Sequence, residues 1–213
     1  VVVSSEVKEK PKTLLLPEKY RYAEYAASYL EKRGISPELI SFCISTGRLY
    51  ESNPYHNVVF VGFDKQGKAR FACQRGIYDT RFHGDVNGSD KHYSFALPVN
   101  PKNSTVHLFE SAIDLLSYAT LYEKLGGDWR QLNLLSLAGV YQPKKVIEES
   151  KLPAALTQYL EDYPHIKTVA LHLDNDGPGR LAAKAIQTIL PKEYEVKNRP
   201  PPWGKDANDY LCH

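Results

Sequence analysis

The sequence predicts an α/β protein: a parallel sheet with helices on both faces, preceded by a smaller α+β subdomain. Three observations predict it. From about residue 105 onward, short apolar runs alternate with segments of helical length, the rhythm of a parallel sheet built from βαβ units. Before that, two amphipathic helices are followed by two apolar runs of strand length around a short polar turn, the pattern of a β-hairpin. Between the two regions, residues 98–104 (PVNPKNS) are rich in turn formers and mark the boundary.

Residues 1–18 carry Lys, Glu and Pro and read as a linker or tail, leaving 19–103 for the first subdomain. Over 20–32, Tyr22, Tyr25, Ala26 and Tyr29 share one helical face. Such a stripe is expected to be core packing rather than a platform for stacking bases. Ser36-Pro37 reads as an N-cap and first-turn proline, opening a second helix that ends near Thr46. Strands over 57–63 (NVVFVGF) and 69–73 flank the turn 64–67 (DKQG). Residues 75–97 read as loops and short strands around Gly84, Gly88 and the stretch GSDKHYSF.

The second region, 104–213, gives a strand at 106–109 and a helix at 112–125, closed by Gly126-Gly127. Then follow a strand at 132–137, a helix at 156–163, a buried-type strand at 167–173 (KTVALHL), a helix at 180–190 and a last strand at 193–197. In a parallel sheet the carboxyl ends of all strands open onto one edge, and sites form there.

Composition sets the outer limits. With 27 basic and 25 acidic residues in 213, the net charge is +2, so no global field announces a nucleic-acid partner. Residues 1–104 hold 15 basic and 11 acidic residues, and the remainder 12 and 14. A mildly basic front and mildly acidic back suit a template-binding part followed by a metal-binding part, although ordinary scatter fits as well. Cys43, Cys73 and Cys212 form no CxxC pair, so neither a zinc ribbon nor a disulfide framework is visible. A reducing cytoplasmic setting is expected. No signal peptide or long apolar run is present, so no membrane partner is expected. The chain neither begins with Met nor contains one, which suggests a fragment of a longer protein.

The chemistry lies in the acids. Glu110 follows VHLF at the end of the first strand of the sheet, and Asp114 stands one helical turn on. Asp174 and Asp176 follow KTVALHL at the end of a later strand. Both strand ends face one edge, so these carboxylates can converge. Clustered carboxylates repel unless a cation sits among them, and Mg²⁺ favours oxygen ligands completed by substrate phosphates. Gly177-Pro178-Gly179 lets backbone approach a ligand, and the helix start behind it favours an anion. Each piece alone has a blander explanation: Asp176 as an N-cap, Glu110 as a solvated loop residue. The combination points to a metal. The late stretch from Pro200 through Lys205 to Leu211 is either a capped turn or a return of Asp206 and Asn208 to the same crevice. His107 and His172 are expected to be packed residues rather than ligands.

FESAIDLLSYA, SLAGV and LHLDNDGPGRLAA resemble the toprim domain of DnaG-type primases, topoisomerases and some nucleases, a Rossmann-like parallel sheet. Glu110, Asp174 and Asp176 stand where that family carries its catalytic acids, and KDANDYL is similar to the acidic stretch that follows in primases. Asn208 departs from the usual Asp, and Ser111 from the usual Gly. AASYLEKRGISPELISFCISTGRLYE and VVFVGFDKQGKARFACQRG resemble the front of a primase core, with Arg75 and Lys91 at its basic positions.

The resemblance implies a primase-like nucleotidyl transferase core acting in replication of a plasmid or mobile element. Mg²⁺ or Mn²⁺ would sit at Glu110, Asp114, Asp174, Asp176 and Asp206. Arg75 and Lys91, with Arg70, Gly177, Arg180 and Lys205, would contact phosphates. The implied partners are a single-stranded DNA template, nucleoside triphosphates, and a helicase or other replication protein. A toprim nuclease using a metal-activated water, or an accessory DNA-binding module without catalysis, are the alternatives. A topoisomerase would need a tyrosine nucleophile in a separate domain, for which the chain has no room. Phosphatase folds carry DxD on their first strand, whereas here it comes late.

Overall fold

The computed structural model describes residues 13–78 and 82–213. Two helices, α1 (Glu24–Lys32) and α2 (Pro37–Ser45), pack on a four-stranded antiparallel sheet. Its strands run in sequence order: β1 (Leu49–Glu51), β2 (Val58–Phe63), β3 (Ala69–Arg75) and β4 (His83–Asp85). The predicted hairpin is β2–β3, and its turn is pinned by Asp64 Oδ1, which accepts from the Gln66 and Lys68 amides. Residues 1–12 of the expected tail, and 79–81, lie outside the described residues. Residues 13–19 lie along the first sheet: the Leu15 amide donates to Asn87, the Tyr50 hydroxyl to Pro17, and Lys19 bridges Ser52.

The tyrosine stripe joins the core only in part, through Ala26 and the partly buried Tyr29. Tyr22 and Tyr25 are 51% and 53% exposed, and the buried residues of α1 are Ala26 and Leu30. Lys19 and Tyr20 pair with β1, so the helix starts only at Glu24 and leaves Tyr22 outside it. The buried i, i+4 row is then 26/30, and Tyr25 sits one residue round from it. The start of α1 is held by the fully buried Glu51, whose Oε2 accepts from the Ala26 amide and whose Oε1 meets His56 Nδ1. Ser36 precedes α2 without capping it by its side chain; its amide donates to the Thr120 hydroxyl.

The second sheet is fully parallel, as predicted. Its strands are β5 (Thr105–Phe109), β6 (Asn133–Ser136), β7 (Thr168–Leu171) and β8 (Glu195–Asn198), in the order β6-β5-β7-β8. The connecting helices are α3 (Ala112–Lys124), α4 (Ala154–Asp162) and α5 (Gly177–Ile189), followed by the short α6 (Ala207–Leu211). Helices cover both faces: α3 and α6 on one, α4 and α5 on the other. The helix predicted from 180 begins three residues earlier, because Asp176 caps it through the Gly179 amide and Pro178 fits its first turn.

The two regions share a core. Ala26, Leu30, Leu39 and Phe60 belong to one apolar cluster with Phe109, Leu115, Leu116 and Leu134. The sheets are also linked through backbone. Ser136 donates to Phe95 and Leu97 to Leu134, so residues 95–97 run antiparallel beside β6.

Candidate metal centre

β5 and β7 are neighbours with Leu108 opposite Leu171, so Glu110 and Asp174 emerge side by side from the same sheet edge. The Asp174 amide donates to Glu110 Oε1 at 3.3 Å, which fixes one carboxylate against the backbone of the other strand. Glu110, Asp114 and Asp174 are all buried. Burial, then the charge of Asp174, pushes the Glu110 carboxyl up to about 7. Burial pushes Asp114 up to about 7 as well, against the hydroxyl bond it accepts from Ser111, with Asp206, Asp174 and Glu110 adding like-charge repulsion. Burial also raises Asp174. Asp176 is held low, first by the Gly179 amide.

Lys205 is the resident cation. Its Nζ lies 3.1 Å from Asp174 Oδ2 and 3.4 Å from Asp176 Oδ2. It is paired with the carboxylates because the strap of residues 200–205 brings it over the sheet edge, where the Asn175 amide donates to its carbonyl. Among the described residues no cluster of three or more His, Cys, Asp or Glu side chains forms a ready-made metal cage. The carboxylates line an edge. Their chemistry nevertheless fits a hard divalent cation, since the donors are all oxygen and two of the acids are driven toward protonation by burial and by their like-charged neighbours.

Asp206 reaches this edge electrostatically, through its effect on Asp114 and Asp174, while Oδ1 caps α6 by accepting from the Asp209 amide. Asn208 does not return to the crevice. It is buried between helices, with Nδ2 donating to the Arg33 carbonyl and the Ser117 hydroxyl and Oδ1 accepting from Arg33 Nη1. An amide supplies both donors and acceptor, which a carboxylate cannot do.

The glycines divide by role. A Cβ on Gly179 would lie 2.1 Å from the Asp174 carbonyl oxygen, so Gly179 is what lets α5 start against the acidic turn. A Cβ on Gly177 would meet nothing within 4 Å, which leaves that side open to a ligand.

The basic residues divide as well. A crevice of about 160 Å³ lies between β3–β4 and the carboxyl edge of the second sheet, walled by Arg75, Asp85, Ser111, Ser136 and Gly139. Arg75 Nε is 3.4 Å from the Tyr29 hydroxyl, which also accepts from Arg33 Nε at 3.0 Å. Tyr29 thus orients two arginines, a role that its helical spacing did not reveal. Lys91 pairs with Asp85 at 2.9 Å, on the crevice rim. Arg70 does not face the crevice. It lies an odd number of residues from Arg75 on β3, so it points to the opposite face, paired with Asp64 and Asp90 over the Tyr93 ring. Arg180 Nη1 donates to the Asn175 carbonyl beside the acidic turn. His107 and His172 are packed behind Asp174, stacked with Nδ1 and Nε2 at 2.9 Å, and burial holds them neutral, at about 4 and about 3.

Comparison with known proteins agrees with this fold. Residues 107–211 match a family described as Toprim-like, and residues 28–101 match one described as a protein of unknown function (DUF3991). An uncharacterized protein of Bacillus anthracis, pXO2-78, is 26% identical over 178 residues, and the chain spans about half that relative's length (48%). The primase fragment of the bacteriophage T7 primase-helicase superposes with a TM-score of 0.58 at 21% identity, covering 94% of this chain and 76% of that one. The Aquifex aeolicus primase gives 0.58 at 18%, covering 90% and 53%. A DnaG primase catalytic domain bound to single-stranded DNA gives 0.56 at 16%, covering 88% and 67%. The fold is that of a primase catalytic core. Residues 107–211 are its toprim-like part.

Proposed function

We propose that this chain is a metal-dependent, primase-like nucleotidyl transferase core acting on single-stranded DNA in the cytoplasm, in replication of a plasmid or mobile element. The observation that carries the reading is the convergence of Glu110 and Asp174 on one sheet edge, both with raised pKa, beside the crevice walled by Arg75. Glu110, Asp174 and Asp176 would hold Mg²⁺ or Mn²⁺, with Asp114 and Asp206 behind them. When bound, the ion would neutralise phosphoryl oxygens and orient the attacking hydroxyl. Arg75 would position a nucleic-acid or nucleotide phosphate, and Lys91 would do so after leaving Asp85. Gly177 would allow close approach at the start of α5, and Arg180 would brace the acidic turn or contact phosphate. Lys205 would exchange its carboxylates for a phosphate when the ion enters. A helicase or another replication protein would deliver the template.

The test is primer synthesis on single-stranded DNA with labelled nucleotides and Mg²⁺ or Mn²⁺. Metal-dependent oligomers are expected from the wild type, with a loss of about a hundredfold or more in Asp174→Ala. Shortening of the template instead would establish the nuclease alternative. A second reading is favoured by the Lys205 bridge: an acid cluster that carries its own cation suits a non-catalytic DNA-binding module. Template binding with neither product, in a wild type that takes up no metal, would select it.

A further inference from the structure

A second cleft, of about 390 Å³, opens between the first sheet and α4, and shares no residue with the acidic edge. That is within the size range of small-molecule sites. One wall comes from Arg48, Phe63, Lys65 and Val99, the other from Tyr159 and Tyr163 of the toprim-like part.

Three observations point to a ligand. First, the Tyr159 hydroxyl is buried and has no hydrogen-bond partner among the described residues, although Tyr159 lines the cleft. A phenol withdrawn from water without a partner is unfavourable, and most buried polar groups avoid that state. Second, the cations are under-used. Of the Arg48 guanidinium only Nε is hydrogen-bonded among the described residues, to the Ala96 carbonyl, and its carbon lies 5.6 Å from the centre of the Phe63 ring, while the Lys65 ammonium meets the Asp162 carbonyl and the face of Tyr163. Third, neither nearby carboxylate pairs with these cations among the described residues. Asp64 accepts from two amides and Arg70, and Asp162 from Gln158 Nε2. Arg48 and Lys65 thus lie in the cleft with no carboxylate partner among the described residues, between aromatic and apolar walls.

We propose that this cleft binds a small aromatic phosphate of mononucleotide size, its phosphate against Arg48 and Lys65 and its ring system against Phe63, Val99 and Tyr163. The ligand supplies the partner that the Tyr159 hydroxyl lacks. It would also bridge the two parts of the chain, because each contributes one wall.

Calorimetric titration of the whole chain in EDTA, with AMP, adenosine and inorganic phosphate as probes, tests this. AMP is expected to bind more tightly than either half-molecule. Lys65→Ala is expected to weaken AMP roughly tenfold through loss of a charge-assisted contact. Tyr159→Phe is expected to weaken AMP severalfold without lowering the Tm of the free protein. Asp174→Asn is expected to bind AMP like the wild type, which separates this cleft from the metal centre. Phosphate binding as well as AMP would mean an adventitious anion and overturn the proposal. So would AMP binding unaffected by Lys65→Ala and Tyr159→Phe, or lost in Asp174→Asn. Absence of AMP binding would leave the hydroxyl to water alone and equally overturn it.

Discussion

Glu110 is placed where its ionised form is least comfortable, on a buried strand end facing Asp174. A carboxyl whose folded pKa, about 7, exceeds its ordinary 4.5 is penalised as pH rises through that interval, because the unfolded chain gives up its proton first. In EDTA, Glu110→Gln should therefore raise the Tm above pH 7 by on the order of 3 °C, and leave it unchanged below the window. Mg²⁺ should raise the wild-type Tm and do so less in the variant. A Tm lowered by the substitution above pH 7 would show that the carboxylate is satisfied without metal. Asn208 makes the opposite case. Asp at that place would match the primase pattern, yet the side chain faces Arg33 and Ser117, not the crevice. Asn208→Asp should cost about 1–3 kcal/mol in denaturant melts by removing two buried donors, and should leave Mg²⁺ affinity unchanged.

At the scale of elements, the start of α5 does several things at once. Asp176 caps it, Gly179 admits the Asp174 carbonyl, and Gly177 is left open. Gly179→Ala should therefore displace the acidic turn and cost about 2 kcal/mol or more, whereas Gly177→Ala should change stability by no more than about 0.5 kcal/mol. Urea unfolding of the two variants checks this, and equal losses would mean that the turn is not braced as described. The elements themselves were legible. β2–β3, β5 and β7 stood out as apolar runs, whereas the start of α5 was read three residues late. Element starts that depend on a distant partner were not. α1 begins at Glu24 because β1 holds residues 19–20 and Glu51 caps the helix, which no local pattern encodes.

Across the whole molecule, the two parts share an apolar cluster in which α3 is buried on nearly every side, from Ala112 through Ser117 and at Ala119 and Thr120. Residues 104–213 alone would leave one face of α3 without Leu30, Leu39 and Phe60. That fragment should lack near-ultraviolet circular dichroism and bind hydrophobic dye, whereas the whole chain should unfold in one cooperative step. A fragment with native-like signals would show that the second sheet folds by itself. Among the described residues no helix is long and apolar enough to cross a membrane.

By itself the sequence determined that the second sheet is parallel, the hairpin before it and the placing of Glu110, Asp174 and Asp176 at strand ends, because periodicity and turn chemistry are local. Tertiary structure alone decided which charges meet. Lys205 sits between Asp174 and Asp176, Arg70 turns away from Arg75, Asn208 ties helices together, and the Tyr159 hydroxyl is buried without a partner among the described residues. Charge pairing, burial and desolvation depend on residues far apart in the chain, and only the packed fold brings them within a few ångströms of each other.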